Sequence, residues 1–220
     1  MKQDIGARRS QTCSEEPNAD VALDHCSRAI QSGQLSPDQL AAALTNRGFV
    51  YGRKGEYDRA IQDFDEAIRL NPNNAGAFSL RGAGFQEKGD LDRAIRDYDQ
   101  ATQLRPTDAT LWNNRCWARA MLGHLDAALA DCNESLRLRP NDAAALDSRG
   151  VVHLKAGRLK EAIADYDAAL QLDSKLARPL YGRGLAKRER GDSAGAEADI
   201  AAAKAIEPKI AETLAGYGIK

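Results

Sequence analysis

Small and apolar residues recur along the chain on a helical period, and the whole pattern repeats every 34 residues. From Ala41 the stretch AAALTNRGFVYGRKGEYDRAIQDFDEAIRLNPNN reads as two amphipathic helices, parted by a glycine and closed by a proline. The pattern restarts at Ala75, Ala109, Ala143 and Ala177. A fixed period in this range predicts an array of helix pairs rather than one globular core.

Numbering each unit from 1 at its Ala shows what the packing requires. Position 8 holds Gly48, Gly82, Cys116, Gly150 and Gly184; position 20 is always Ala; position 27 is Ala except for Ser135. Small side chains at three fixed sites let two antiparallel helices approach closely, where larger ones would overpack. Glycine at position 15 (Gly55, Gly89, Gly123, Gly157, Gly191) supplies a turn that needs positive φ. At position 32 Pro72, Pro106, Pro140 and Pro208 end the second helix, and only Ser174 departs. The expectation is an all-α, right-handed superhelical solenoid whose stability comes from neighbouring pairs.

The entrance differs. Residues 1–18 lack periodicity and read as a flexible segment. Residues 19–40 read as a degenerate leading half-repeat and linker. In it Asn18 or Asp20 caps a helix running to Gln31, Gly33 follows its end, and Ser36-Pro37-Asp38-Gln39 forms a capping box. Five repeats follow at 41–74, 75–108, 109–142, 143–176 and 177–210. The last has polar replacements, Glu197 and Lys204, and residues 211–220 read as a capping helix over the final pair.

These units resemble the tetratricopeptide repeat, whose pattern has an aromatic or Leu at position 4, Gly at 8, Tyr at 11, Ala at 20, an aromatic at 24, Ala at 27 and Pro at 32. Position 4 here holds Leu44, Phe78, Trp112, Leu146 and Leu180, and position 24 holds Phe64, Tyr98, Cys132, Tyr166 and Ile200. Position 11 drifts through Tyr51, Phe85, Arg119, His153 and Lys187, which predicts a weaker pocket there in later units. Where the family often has Leu, at position 7, this chain has Arg47, Arg81, Arg115, Arg149 and Arg183. Position 23 is as uniform, with Asp63, Asp97, Asp131, Asp165 and Asp199. Arginine and aspartate 16 residues apart on the two helices of each pair predict a repeated, two-pronged ion pair. Uniformity across units favours a register-fixing role over a ladder of ligand-binding charges.

A formal net charge of −1 argues against a dedicated nucleic-acid surface, which needs many phosphate-neutralising cations. No apolar run reaches the ~20 residues of a membrane span. The opening MKQDIGARRSQTCSEE has no apolar stretch of a secretion signal. That leaves a cytosolic chain or a processed form. Likeness to exported bacterial tetratricopeptide proteins, which begin with a Cys…Cys segment before an Asn-Arg-Gly helix (Asn46-Arg47-Gly48 here), implies a Cys13–Cys26 bridge. It also favours a periplasmic or secreted location over the cytoplasm. The residues alone leave two unpaired thiols open. Cys116 and Cys132, at positions otherwise held by Gly and an aromatic, read as buried small hydrophobes rather than a redox couple. No Cys/His spacing suits a metal, and His25, His124 and His153 are scattered.

In the family, peptides bind the first helices through positions 2, 5, 6, 9, 12 and 13. The resemblance therefore places a groove at Asn46, Phe49 and Arg53, at Asn113, Asn114 and Trp117, and at Tyr181 and Arg188. Asn side chains can bond an extended backbone, and the aromatics would anchor it. For Trp117, packing inside the array is the competing reading. The chaperone-tail clamp needs Asn at position 6, then Lys at 2 and Arg at 6 of the next unit. Asn46 is followed by Gly76 and Leu80, and Asn114 by Ala144 and Ser148, so acidic chaperone tails are not expected. No nucleophile–base pair, phosphate loop or metal set supports an enzyme, and no cofactor is expected. The expectation is a non-catalytic interaction scaffold, monomeric or weakly self-associating, that binds a peptide or partner helix. A helical-repeat RNA binder and a self-assembling array are its rivals.

Overall fold

The computed structural model describes residues 16–219, and all their regular structure is helical. The expected flexible start, for residues 1–15, lies outside the described residues. The chain divides into two compact units, 1–106 and 107–220.

Unit one opens with α1 (Ala19–Gln31), capped by Asn18, whose Oδ1 accepts from the Asp20 and Val21 amides at 3.0 and 3.3 Å. Helix α2 (Pro37–Arg53) starts at a complete capping box between Ser36 and Gln39. Helices α3 (Tyr57–Leu70), α4 (Ala75–Glu87) and α5 (Leu91–Leu104) follow, each packed on its predecessor. Position-15 glycines make the turns inside the pairs: Gly55 and Gly89 have φ of 76° and 78°, where a Cβ is strained. Between pairs the chain straightens before the proline, as at Asn71 (φ −138°, ψ 90°).

Unit two contains α6 (Ala109–Leu122), α7 (Leu125–Leu138), α8 (Ala143–Lys155), α9 (Leu159–Leu172), α10 (Ala177–Glu189), α11 (Ser193–Ile206) and α12 (Ile210–Gly216). Helix α9 stops without its proline. Asp173 is extended (φ −148°, ψ 108°), and its Oδ1 accepts from the Lys175 amide at 2.9 Å. This local turn does the proline's work at Ser174.

Positions 8 and 24 face each other inside each pair. A Cβ on Gly48 would lie 2.7 Å from Phe64 Cε1, and one on Gly150 2.6 Å from Tyr166 Cε1. In repeat three the same two positions are joined: Cys116 and Cys132 form a disulfide across α6 and α7, with Cα atoms 5.4 Å apart and both side chains fully buried. This corrects the expectation of two small hydrophobes. Without glycine opposite an aromatic ring, two short sulfur side chains meet midway, within bonding geometry.

All five Arg–Asp pairs form. Each guanidinium donates from Nε and Nη2 to the two carboxylate oxygens, at 2.6–2.9 Å from Arg47–Asp63 through Arg183–Asp199. Hydrogen bonding to Asp63, Asp97, Asp165 and Asp199 raises the pKa of Arg47, Arg81, Arg149 and Arg183 above the ordinary value. The third nitrogen links neighbouring pairs: Nη1 of Arg81, Arg149 and Arg183 donates to Asp65, Asn133 and Asp167, position 25 of the preceding repeat. Position 11 is not simply weakened. Tyr51 and Phe85 lie under Arg59 and Arg93, whereas Arg119 and Lys187 add a second cation to Asp131 and Asp199, each at 2.8 Å. An ionic contact replaces ring packing there.

Candidate functional site

In unit one, α2 presents Asn46, Phe49 and Arg53 at i, i+3 and i+7, on one face. Phe49 and Arg53 line a groove of about 310 Å³ between α2 and α4, together with Tyr57, Leu80 and Glu87; Asn46 is not part of its wall. Gly48, Gly52 and Gly84 are among its lining residues, and at Gly52 nothing stands within 4 Å of the place a Cβ would take. Phe49 is 39% exposed, as Val21, Leu172 and Ile206 are to a similar degree, but of these four it is the one that lines the groove. Charges of opposite sign, Arg53 and Glu87, stand at the rim, both exposed. The groove is apolar, open and polar-edged.

Unit two places its expected residues differently. Asn113 and Asn114 are half-buried, and Asn113 Oδ1 has no hydrogen-bond partner. Trp117 is only 7% exposed. The Arg178 guanidinium lies 4.4 Å over its ring, and Tyr217 stands edge-on to it with ring centroids 5.6 Å apart. Packing therefore wins over an open aromatic anchor, because the end of the chain returns to cover it. Tyr181 is half-buried against the same cluster, and Arg188 is exposed at the end of α10. Helix α12 also touches the final pair, as a cap would, yet Tyr217 reaches well past it to repeat three.

Beside that contact lies a cavity of about 550 Å³ lined by Asp147, Arg178, Thr213 and Tyr217. Asp147 is 2% exposed; its Oδ2 accepts from Arg178 Nε, while Oδ1 has no partner. Burial raises the Asp147 pKa, against the pull of Arg178. This pair occurs in one repeat only, so no internal comparison singles it out. Among the described residues, no group of three His, Cys, Asp or Glu side chains could hold a metal, and no helix is long and apolar enough to cross a membrane.

The family models supply the assignment. Residues 41–74 and 80–143 match models described as tetratricopeptide repeat, and 152–191 match one described as TPR repeat. The chain is a tetratricopeptide-repeat protein. The first match has the bounds of the first repeat, and the three together take in more than half of the sequence. No curated protein matches this tetratricopeptide chain in sequence.

Solved structures show the same fold. PilF of Pseudomonas aeruginosa is 19% identical over 97% of each chain, with a TM-score of 0.76. A tetratricopeptide protein from Parabacteroides merdae is 19% identical, covering 98% of this chain and 87% of its own, at 0.76. YrrB, described as a TPR protein with an unusual peptide-binding site, is 21% identical over 87% of this chain and 96% of its own, at 0.63. At these identities the likeness establishes the fold alone.

Proposed function

We propose that this tetratricopeptide protein is a non-catalytic interaction scaffold that holds a peptide segment or partner helix against its first helices, with the open site in unit one. The observation that carries this reading is Phe49, exposed on an apolar groove that Arg53 and Glu87 also line. Large apolar anchors in a pocket with a polar rim dominate peptide and protein interfaces. A peptide-binding site named for YrrB, which shares the fold, supports the same reading.

The Arg–Asp ladder does not compete for this role. Its carboxylates are buried and its guanidinium nitrogens engaged, so it fixes register. Acidic chaperone tails are not expected ligands, since Gly76 and Leu80 stand where the clamp needs cations. The buried Cys116–Cys132 bridge supports an oxidising compartment, and with it the periplasmic or secreted location and the Cys13–Cys26 pairing. Cys26 is fully buried, while Cys13 lies outside the described residues.

Selection of random displayed peptides on the full chain tests the reading. Enriched peptides are expected to lose at least ~10-fold in affinity for Phe49→Asp, as a truncated hot spot does, while helicity is unchanged. Salt-sensitive retention on an RNA column, with no peptide enriched, would favour the helical-repeat RNA binder instead.

A further inference from the structure

Position 9 of the repeats separates the two units. Phe49 is 39% exposed in unit one, while Trp117, Val151 and Leu185 in unit two are 7%, 1% and 1% exposed. The difference has a visible cause. Helix α12 and the residues after it lie on the first helices of unit two, where Ile210, Leu214 and Ile219 are all but fully buried in one cluster with Trp117, Val151 and Leu185.

The seated segment has the form of a docked ligand helix. Ile210 and Leu214 stand at i and i+4 of the helix, and Tyr217, its C-cap at i+7, continues the apolar side into the groove. Its receptor is built from three successive repeats. Trp117 of α6 takes the Tyr217 ring, Lys155 of α8 donates from Nζ to the Tyr217 carbonyl at 3.3 Å, and Ala177 and Arg178 of α10 line the cavity with Ile210 and Leu214. Position 13 of the second repeat in unit one is Glu87, which could not make the Lys155 contact.

The seat is also incomplete, and the segment that fills it is short. Helix α12 has seven residues and no side-chain cap at its start, so it depends on docking for its structure. A few buried side chains and one ring contact stand against the entropy of ordering the segment, two terms of similar size. Both Asp147 and Thr213 line the 550 Å³ cavity beside it; Asp147 Oδ1 is left unpartnered, and the Thr213 hydroxyl donates to the Lys209 carbonyl. A donor-bearing side chain at that place would give Asp147 Oδ1 the partner it lacks with α12 seated.

We propose that unit two contains a second, helix-receiving groove, that α12 fills it as an intramolecular stand-in, and that its exchange partner is an amphipathic helix of another protein presenting aliphatic, aliphatic and aromatic side chains at i, i+4 and i+7. The proposal rests on the reading that first-helix faces bind peptides, and extends it to a site the chain itself keeps closed.

A fluorescent synthetic peptide, Ile210–Lys220, tests it on the full chain. With the tail loosened by Tyr217→Ala and Ile219→Ala, the peptide is expected to bind ~10-fold more tightly than to the unaltered chain, where the tail competes. Adding Trp117→Leu to the loosened chain is expected to undo the gain, and adding Phe49→Asp to leave it intact. Equal binding to loosened and unaltered chains overturns the proposal, as does no binding to either. Loss on Phe49→Asp rather than Trp117→Leu overturns it too, while leaving the unit-one groove standing. Native-state hydrogen exchange needs no variant: amides of 211–219 are expected to exchange at least ~100-fold faster than those of α9, because local opening suffices. Equal protection would make α12 an integral part of the fold and overturn the proposal.

Discussion

Arg47 meets Asp63 through two parallel hydrogen bonds, Nε to Oδ2 at 2.8 Å and Nη2 to Oδ1 at 2.7 Å, on a carboxylate only 6% exposed. No second cation reaches Asp63 among the described residues, whereas Asp131 is held by both Arg115 and Arg119. The two pairs look identical in sequence and differ in what remains when one arginine is removed.

Arg47→Leu should therefore cost on the order of 3 kcal/mol, the usual penalty of stranding a buried charge. Arg115→Leu should cost clearly less, because Arg119 keeps its 2.8 Å contact with Asp131. Urea unfolding of the two variants checks the order; equal losses would contradict it.

Gly150→Ala should destabilise by about 1–3 kcal/mol, since its Cβ would stand 2.6 Å from the buried Tyr166 ring. Gly52 is the control. It is helical with open space where a Cβ would stand, so Gly52→Ala should stabilise by about 0.5–1 kcal/mol through helix propensity. Thermal melts of both variants give the comparison.

The Cys116–Cys132 bridge closes a short loop between two fully buried sulfurs. Replacing both by Ser should lower stability by about 2–4 kcal/mol. Reductant should act on the native chain only as fast as it opens, so thiol labelling under reducing conditions should track unfolding. Rapid labelling of the folded protein would show the bridge to be accessible.

Burial lowers the His153 pKa, against the pull of Asp165. The folded state then binds fewer protons than the unfolded chain just below pH ~6.5, so stability present above that value is lost as pH falls towards the folded pKa. His153→Phe, which restores an aromatic like Phe85 at position 11, should show a smaller fall in Tm between about pH 7.5 and 5.5. An unchanged fall would assign the acid sensitivity to other groups.

Much of the fold was legible because packing here is local and repeated. Gly55 and its equivalents announced the turns, Gly48 opposite Phe64 announced the close approach, and Arg47 with Asp63 announced the ion pair. The polar residues of position 25, Asp65, Asn133 and Asp167, went unread, because their partner lies on the next repeat, which a within-pair reading does not reach. The disulfide needed one more step, that two facing positions both held Cys. The candidate site was legible only in part. Phe49 and Arg53 share a groove, but Trp117 is covered by Tyr217, a contact across 100 residues that no repeat position encodes. The Asp147–Arg178 pair occurs once and had nothing to be compared with.

The central claim is that binding belongs to side chains that vary between repeats, with Phe49 at the centre of the open groove. Hydrogen exchange of the full chain with a display-selected peptide tests it most directly. The account predicts new protection on residues 48–57 and 80–87, centred on the Phe49 groove. Protection confined to the second helices α3 and α5 below Tyr57, or none at all, would contradict it.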